Sequence, residues 1–432
     1  MSRHVIVISE DAMVYEDMET LRLLPNFGGR WDKAARVNRV RSVYPTITYP
    51  CHATMMTGVY PDKHGVVRNE QAILGKKNVP WQLMRDGVHA PSVFDAAKAA
   101  GLSTAAVFWP MTGKDKNIDY LVDEYWPQTK EEGDAECFRN SGSSEEVIEK
   151  VVEPNLHFVA GKHRIHPYCD DFIFGCACAI IRNFKPNLLM VHPANIDGYR
   201  HQTGVFTPMV THGLHEADHW LGQVMKAVED AGLLDDTDVF IVSDHGQMNV
   251  TRAVALNKVF ADRGLITVDE KGEVADYRAI AKSGGLSGMV YLKDPSNKKD
   301  YDDTWALLGA LKEDGIYGIS QVFTREEIEK KEHLSGDFAF AFETDGYTTF
   351  SDDWLAPLVR PLDNADYRFG RATHGYLPEK GPQPTLFAFG PDVKPGAVIE
   401  DARLVDEAPT IAKALGVPFY PCDGRVLEEL FK

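Results

Sequence analysis

The chain has 432 residues, of which 44% are hydrophobic and 25% are charged, the composition of an ordinary globular protein. Acidic residues outnumber basic ones by 64 to 46, and the resulting charge of −18 argues against binding to nucleic-acid polymers or to anionic membranes. Aromatic and branched residues occur throughout, which excludes extensive disorder. The length predicts several folding units, or one large domain that carries insertions.

The first apolar run, Val5–Ile8, is far too short to span a bilayer and indicates a buried strand rather than a signal peptide. The cysteines are scattered and form no CxxC pair, so we expect free thiols rather than disulfides or a zinc knuckle. They are Cys51, Cys137, Cys169, Cys176, Cys178 and Cys422. We therefore expect a cytoplasmic enzyme without a membrane partner.

Short apolar runs alternate with helical stretches along the chain. The predicted strands are, in order, Val5–Ser9, Thr104–Phe108, Leu188–His192, Val239–Ser243 and Pro384–Phe389. The predicted helices are Val93–Ala100, Asp171–Asn183 and Gly213–Ala231. This alternation predicts an α/β fold with a mostly parallel sheet that is covered by helices on both faces.

The composition changes in two regions. Residues 251–365 contain Asp-, Gly- and Lys-rich turns with helices near Asp303–Asp314 and Arg325–His333, which predicts a smaller α+β cap inserted into the main domain. The main domain would then comprise residues 1–250 and 366–432. Residues 112–170 are polar and irregular, so we expect a possible lid insertion there.

Acidic residues and histidines follow the predicted strands. Asp11 comes after the first strand, Asp197 and His201 after the third, and Asp244 and His245 after the fourth, while His374 precedes the last. In such sheets, ligands bind beyond the carboxyl ends of the strands. The sequence therefore predicts that these six side chains meet at one edge.

Mixed carboxylate and imidazole ligands suit zinc, with manganese as a poorer fit. Six ligands are too many for one tetrahedral ion, but they suit two ions about 3.5–4 Å apart, as in two-metal hydrolases. A single Asp at a strand end is more often a helix cap, so the prediction depends on the whole set.

One segment carries a recognisable motif. It contains Pro45-Thr46-Ile47-Thr48-Tyr49-Pro50-Cys51-His52, followed by Thr57-Gly58, Pro61, His64-Gly65 and Asn69. This segment, with the Asp-x-x-x-His, Asp-His-Gly and His-Gly elements in order, resembles the nucleotide pyrophosphatase/phosphodiesterase branch of the alkaline phosphatase superfamily. The resemblance implies an alkaline phosphatase-like core and covers nearly the whole chain, most weakly in 112–170 and 251–367.

The resemblance also implies a role for each motif residue. Thr48 would be the nucleophile at the start of a helix, and Asn69 would bind a phosphoryl oxygen. One zinc would be held by Asp197, His201 and His374, and the other by Asp11, Asp244 and His245 with Thr48 beside it. Tyr49 and Trp109 match positions near the substrate pocket, although core packing is equally open for Trp109.

Other residues could be mistaken for parts of the site. Cys51 is near the nucleophile position, but the alignment on Pro50 and Thr57-Gly58 makes it a small buried residue. His212, His215 and His219 have helical spacing, and we interpret them as a solvated or structural helix face. Tyr199 and Arg200 lie within the Asp197–His201 segment, where substrate contact and solvent exposure are both open.

The sequence thus favours a metal-dependent phosphodiesterase that acts on small nucleotide-type or other phosphodiester substrates. The same ligand set would serve a phosphonoacetate hydrolase, a phosphomonoesterase or a hydrolase of choline-containing phospholipid diesters. A non-catalytic binding protein would retain the fold without turnover, but the nucleophile and all six ligands are present.

Overall fold

The computed structural model describes residues 4–366 and 368–432. Its largest sheet has eight strands, labelled here in chain order: β1 (His4–Ser9), β2 (Ala35–Arg41), β3 (Thr104–Val107), β4 (Tyr120–Val122), β5 (Leu188–Val191), β6 (Thr237–Val242), β7 (Leu386–Phe389) and β8 (Val398–Arg403). They are arranged in the order β8-β2-β7-β6-β1-β5-β3-β4. Strand β7 is antiparallel to both neighbours and all the other pairs are parallel, which confirms the predicted mostly parallel sheet.

Apolar side chains cover the sheet on both faces. Ile6 and Ile8 of β1 belong to one buried cluster, and Val5 and Val7 belong to another, because successive side chains of a strand point to opposite faces. The longer α-helices are Thr48–Thr57, Val93–Ala99, Asp134–Ser141, Glu153–Val159, Tyr168–Phe184, Asn195–Thr203, Pro208–Asp230, Leu256–Asp262, Lys298–Asp314, Arg325–Glu332 and Glu407–Leu415. Tyr168–Phe184 and Pro208–Asp230 pack in the first cluster, whereas Thr48–Thr57 and Glu407–Leu415 pack in the second.

All five predicted strands belong to this sheet, but β2, β4 and β8 were not predicted. The edge strand β8 is half-exposed and contains Glu400 and Asp401. Arg39 of the neighbouring β2 lies 2.9 Å from a carboxylate oxygen of each. Charged cross-strand pairs replace apolar contacts on this side of the sheet, so a search for apolar runs does not find these strands.

Most of the region between 251 and 365 forms smaller sheets with their own buried cluster. The four-stranded antiparallel sheet consists of Ala279–Ser283, Ser287–Leu292, Phe340–Thr344 and Ile319–Thr324. The three-stranded sheet consists of Thr348–Ser351, Arg252–Ala255 and Val359–Arg360, and the two-stranded one of Val274–Tyr277 and Ile266–Val268. The smaller α+β unit is thus present, while the division of the chain at 251 and 365 stays a prediction.

Residues 112–170, for which a lid insertion stays a prediction, contain segments that pack with the main domain. Tyr120–Val122 is the edge strand β4, and Phe138, Val147 and Val151 pack in the main hydrophobic core. Short stretches around Trp126 and Arg164 instead reach the cavity described below.

All six cysteines are free thiols, and all except Cys422 are buried. Within the described ranges, no helix is both long enough and apolar enough to cross a bilayer.

The smaller unit contacts the main domain next to His374. The His374 carbonyl accepts a hydrogen bond from Leu286 N–H at 2.9 Å, and Gly375 N–H donates to the Thr46 carbonyl at 2.8 Å. Gly375 has a φ of +98°, and a Cβ atom there would lie 1.8 Å from the Gly284 carbonyl oxygen. Only glycine fits this contact.

We expect Gly375→Ala to lower the free energy of unfolding by about 3 kcal/mol or more, because both the backbone angle and the contact with Gly284 forbid a side chain. Gly396→Ala is the matched control, since Gly396 also has a positive φ, +70°, but has open space around it. Gly396→Ala should lower the free energy of unfolding by only about 1–2 kcal/mol, the cost of placing a side chain at a positive φ. Urea unfolding measures both, and equal losses would show that the contact is unimportant.

His64 is fully buried and accepts a hydrogen bond from Val66 N–H through Nδ1, at 3.1 Å. Burial lowers the pKa of His64 from 6.5 to about 3, so the unfolded chain takes up a proton on this side chain at a higher pH than the folded chain. Stability should therefore fall as the pH falls from 6.5 to 3, by about 1.4 kcal/mol per pH unit for this group. His64→Asn, which preserves an acceptor, should remove this contribution from the pH dependence of urea unfolding. An unchanged slope would contradict the assignment.

Candidate active site

Three neighbouring parallel strands define the site. Strand β1 lies between β5 and β6, so the segments that follow their carboxyl ends meet at one edge of the sheet. Asp11, Asp197 and Asp244 follow these three strands. His374 joins them because the strand Ala372–Thr373 pairs with Met248–Asn249, just beyond β6.

The six predicted metal ligands form two groups. In each group the possible ligand atoms lie within 4.8 Å of one another. One group is Asp11, Asp244 and His245, and the other is Asp197, His201 and His374. The rings of His245 and His374 connect the groups, with centroids 4.3 Å apart. The structure therefore brings the six side chains together in the predicted division.

In the first group, each carboxylate uses one oxygen for protein contacts. Asp244 Oδ1 accepts hydrogen bonds from the N–H groups of Ala12 and His245, at 3.1 and 2.9 Å. Asp11 Oδ2 lies 3.1 Å from His192 Nε2. The other oxygens, Asp11 Oδ1 and Asp244 Oδ2, are buried without a hydrogen bond and lie 3.6 and 3.1 Å from His245 Nε2. This arrangement fits a divalent cation.

Burial also makes the first group electrostatically unfavourable without a cation. Burial, together with the charge of Asp197, raises the pKa of Asp11 well above its usual value. Burial and the charge of Asp11 do the same for the pKa of Asp244. Two carboxyl groups so close in a buried site resist ionisation together unless positive charge is bound.

In the second group, hydrogen bonds orient the ligands. His201 Nδ1–H donates to the Ala372 carbonyl at 2.8 Å, so Nε2 carries the lone pair and lies 3.3 Å from Asp197 Oδ2. Gln247 Nε2 donates to Asp197 Oδ1 at 2.5 Å. Burial opposes ionisation of Asp197, but the nearby imidazoles, His201 first, hold its pKa well below the usual range. Burial lowers the pKa of His374 to about 4, which leaves a neutral imidazole at pH 7.

Thr48 is the first residue of the helix Thr48–Thr57, after Ile47 in an extended conformation. Its Oγ1 atom lies 3.3 Å from His245 Nε2, next to the first group. His52 supports this turn from below, with Nδ1–H donating to the Thr48 carbonyl at 2.8 Å and Nε2 accepting from Ser9 Oγ at 2.9 Å. The hydroxyl is thus fixed at a helix N-terminus, which favours anions.

Asn69 is oriented by the same helix. Its Oδ1 accepts a hydrogen bond from Tyr49 N–H at 2.9 Å. The amide NH₂ group is left for the cavities that Asn69 lines. It can donate to an anion bound in front of Thr48.

Two cavities adjoin the site. The first, of about 370 Å³, is lined by Thr48 and by Asp11, Asp197, His201 and His374 from the two groups. The second has a volume of about 380 Å³ and extends towards the smaller α+β unit. The two cavities share Asn69, Trp81, Arg164 and His374, so they form neighbouring parts of one depression.

Tyr49 and Trp109 do not line either cavity, so their contact with substrate stays a prediction. Both side chains are fully buried. The Tyr49 ring packs edge-on against Trp81 with centroids 5.3 Å apart, and Trp109 packs edge-on against His52 at 4.9 Å. They lie in the layer beneath the site because adjacent residues of a helix point about 100° apart, so Tyr49 faces the core when Thr48 faces the cavity.

The first cavity is lined by Phe108 and by Trp81 and Trp126. The Trp81 and Trp126 rings pack edge-on with centroids 5.6 Å apart, and the Arg164 guanidinium lies against both, 4.7 and 4.6 Å from the two centroids. Sequence reasoning missed Trp81, Trp126 and Arg164, and also His192 and Gln247, which contact Asp11 and Asp197. Only the position of His192 at the end of a predicted strand was a usable signal.

The remaining candidates lie outside the site. Cys51 is buried, and burial raises the pKa of its thiol, so it is no nucleophile. Arg200 is buried against Asp17, and Tyr199 OH donates to Glu216 at 3.0 Å. The three helical histidines are exposed and do not join either group of ligands; they are His212, His215 and His219.

Comparison with known proteins gives consistent results. A family model described as type I phosphodiesterase/nucleotide pyrophosphatase matches residues 5–377. Ectonucleotide pyrophosphatase/phosphodiesterase family member 1 of Rattus norvegicus is 24% identical over 252 residues, which are 56% of this chain and 24% of that protein. Family member 7 of Rattus norvegicus is 22% identical over 419 residues, 95% of this chain and 82% of that protein.

Solved structures share the fold. Murine ectonucleotide pyrophosphatase/phosphodiesterase 5, as an inactive variant in complex with AMP, matches with a TM-score of 0.68 and 18% identity over 99% of this chain and 100% of that chain. This chain spans only about a quarter of the length of several curated relatives, including family member 1. Because the family model covers most of its residues, the chain belongs to the type I phosphodiesterase/nucleotide pyrophosphatase family.

Proposed function

We propose that the protein hydrolyses phosphodiester or pyrophosphate bonds of nucleotide-type substrates and releases a nucleoside monophosphate. The observation that carries this proposal is the position of Thr48, whose Oγ1 lies 3.3 Å from His245 Nε2 at the start of a helix. Thr48 lines the first cavity together with Asp11 of one group and with Asp197, His201 and His374 of the other. This position supports a role as the nucleophile that attacks phosphorus.

Asp11, Asp244 and His245 would hold one divalent cation, and Asp197, His201 and His374 the other. The oxygen and nitrogen donors favour zinc, and manganese is the alternative. The unpaired buried oxygens of Asp11 and Asp244 support this assignment. Once bound, the two cations would lower the pKa of the attacking hydroxyl and of water and offset the charge of the phosphoryl oxygens.

The reaction would proceed in two displacements. Thr48 Oγ1 gives its proton to solvent water and forms a bond to phosphorus while the bond to the leaving oxygen breaks, and that oxygen takes up a proton from water. Asn69 donates its amide N–H to a non-bridging oxygen. A water molecule then attacks the phospho-threonine from the opposite side, the Oγ1–phosphorus bond breaks, and Thr48 regains its proton. The products are a nucleoside monophosphate and the alcohol, phosphate or pyrophosphate that left first.

The shape of the depression supports a diester over a monoester. Two adjoining cavities of about 370 and 380 Å³ offer more space than a phosphate group needs. Trp81 and Trp126 provide planar apolar surface for an organic substituent. The AMP complex of the murine structural relative supports a nucleotide as that substituent.

With zinc supplied, we expect the protein to hydrolyse the p-nitrophenyl ester of thymidine monophosphate in strong preference to p-nitrophenyl phosphate. Thr48→Ala should reduce kcat for the diester by about 10³-fold or more, because the first displacement loses its nucleophile. Release of p-nitrophenolate measures both rates.

Thr57→Ala is the matched control, since Thr57 lies in the same helix and its hydroxyl donates to the Ala53 carbonyl at 2.6 Å, away from the cavities. It should leave kcat for the diester unchanged. Preference for the monoester would redirect the proposal to a phosphomonoesterase. Binding without any turnover would indicate a non-catalytic protein, and full activity of the Thr48 variant would exclude Thr48 as the nucleophile.

We expect His201→Ala to lower the zinc content from about two ions per chain to about one, because it removes a ligand from only one of the two groups. Plasma mass spectrometry after zinc loading and desalting measures the content. His219→Ala removes an exposed histidine on the helix Pro208–Asp230 and should not change it. Retention of two ions by His201→Ala would contradict the assignment of this group.

A further inference from the structure

Arg68 is a buried cation without a counterion. It is 4% exposed, and its Nη1 atom makes no hydrogen bond. Its other contacts are weak, since Nη2 lies 3.5 Å from Met289 Sδ and the guanidinium lies 5.1 Å from the centroid of the Tyr291 ring. No carboxylate of the described part of the chain lies within 4.0 Å of it. Burial of an unpaired charge is costly, so this arrangement is unusual for a purely structural residue.

Arg68 lines the second cavity, which is rich in positive charge. The cavity is lined by six cationic side chains, Arg68, Lys76, Lys77, Arg164, Lys282 and Arg368, against three carboxylates, Glu70, Asp352 and Asp353. This balance is the reverse of the whole protein, which carries a net charge of −18. A cavity of this kind attracts anions although the overall surface repels them.

Three other cations of this cavity pair with carboxylates, and Lys76 and Arg164 are exposed; Arg368 Nη2 lies 2.8 Å from Asp366 Oδ2. Lys77 Nζ lies 2.8 Å from Asp353 Oδ1, and Lys282 pairs with Asp352. Burial lowers the pKa of Arg68 to about 10, so the side chain remains charged at pH 7. Asp352 and Glu70 attract this charge without forming an ion pair with it. Among the cations that line the cavity, Arg68 is the buried one, and no carboxylate of the described residues pairs with it. A ligand can therefore supply the opposite charge.

The position of Arg68 connects it to the site of reaction. It directly precedes Asn69, which lines both cavities and is held by the N–H of Tyr49, the residue after Thr48. The Arg68 carbonyl accepts a hydrogen bond from Gln82 Nε2 at 3.0 Å, which fixes the segment. An elongated substrate with its phosphorus at Thr48 can thus extend past Asn69 towards Arg68.

We propose that Arg68 binds a second anionic group of the substrate, a phosphoryl or carboxylate group remote from the phosphorus that Thr48 attacks. This inference rests on the proposed function and narrows its substrates to those with an additional negative charge. The planar guanidinium can donate two parallel hydrogen bonds to such a group. Arg68 would then determine specificity, whereas Thr48 and the two groups of ligands carry the reaction.

Three substrates test the proposal. The p-nitrophenyl ester of thymidine monophosphate has no second anion, its derivative with a phosphate on the other sugar hydroxyl carries one on the nucleoside side, and ATP carries one on the leaving group. Arg68→Met should reduce kcat/KM at least about tenfold for one or both doubly anionic substrates, mainly through KM. For the p-nitrophenyl ester without a second anion, kcat/KM of Arg68→Met should stay within about twofold of the wild-type value. The substrate whose kcat/KM falls shows whether the second cavity binds the nucleoside part or the leaving group.

Two further variants separate recognition from folding. Arg68→Lys retains the positive charge but not the planar guanidinium with its two parallel donors. It should therefore reduce kcat/KM for the same substrate by less than Arg68→Met does. This variant tests the proposal if Arg68→Met does not fold. Arg36→Met is the matched control, because Arg36 is half-buried 4.6 Å from the Trp31 ring centroid and lies outside both cavities. Arg36→Met should leave kcat/KM unchanged for all three substrates. The Tm of ligand-free Arg68→Met should be no lower than that of the wild type, because the variant removes an unpaired buried charge.

Equal losses for all three substrates, or no loss for any, would overturn the proposal. If the wild type hydrolyses none of them, the proposed function fails and a binding measurement still tests Arg68. Calorimetry on zinc-loaded Thr48→Ala should then show that Arg68→Met weakens binding of pyrophosphate about tenfold and that of inorganic phosphate much less. Equal binding of pyrophosphate with and without Arg68 would overturn the inference independently of activity.

Discussion

The architecture of the site depends on the burial of like charges at the carboxyl edge of the sheet. Because β1 lies between β5 and β6 in parallel register, Asp11, Asp197 and Asp244 are forced close together. The two sheet faces are covered by buried apolar clusters, so the backbone that carries these carboxylates is packed from both sides. Bound cations are the simplest way to offset their repulsion, and the unpaired oxygens of Asp11 and Asp244 show where one would lie.

The smaller α+β unit contributes to the candidate site and to the neighbouring cavity. Its turn at Gly284-Gly285 holds the carbonyl of His374 through Leu286 and thereby positions a ligand that is distant in sequence from the others. Met289 and Tyr291 of the same unit contact Arg68 in the neighbouring cavity. Variation in this unit can therefore change substrate recognition while the three aspartates stay in place.

Local sequence patterns predicted the parts of the structure that depend on local rules. Apolar strands such as Val239–Ser243 located the sheet, and the acidic residues that follow three of them located its active edge, because parallel strands present their carboxyl ends together. The strand β8 was missed because charge pairs with Arg39 stabilise it. The burial of the Tyr49 side chain was not predicted, because proximity to Thr48 in sequence does not specify the same side of a helix. The Trp81–Arg164–Trp126 arrangement joins irregular segments that only the tertiary structure brings together.

The contrast between an acidic protein and a positively lined cavity has a physical explanation. Charges separated by more than about 8 Å are largely screened at physiological ionic strength when they are exposed to solvent. The net charge of −18 is spread over the whole protein and is weakened in this way. The guanidinium of Arg68 is buried and screened much less, so it acts more strongly on a ligand inside the cavity than an exposed charge at the same distance does. An acidic exterior and an anionic substrate are compatible because attraction is confined to groups that the fold removes from solvent.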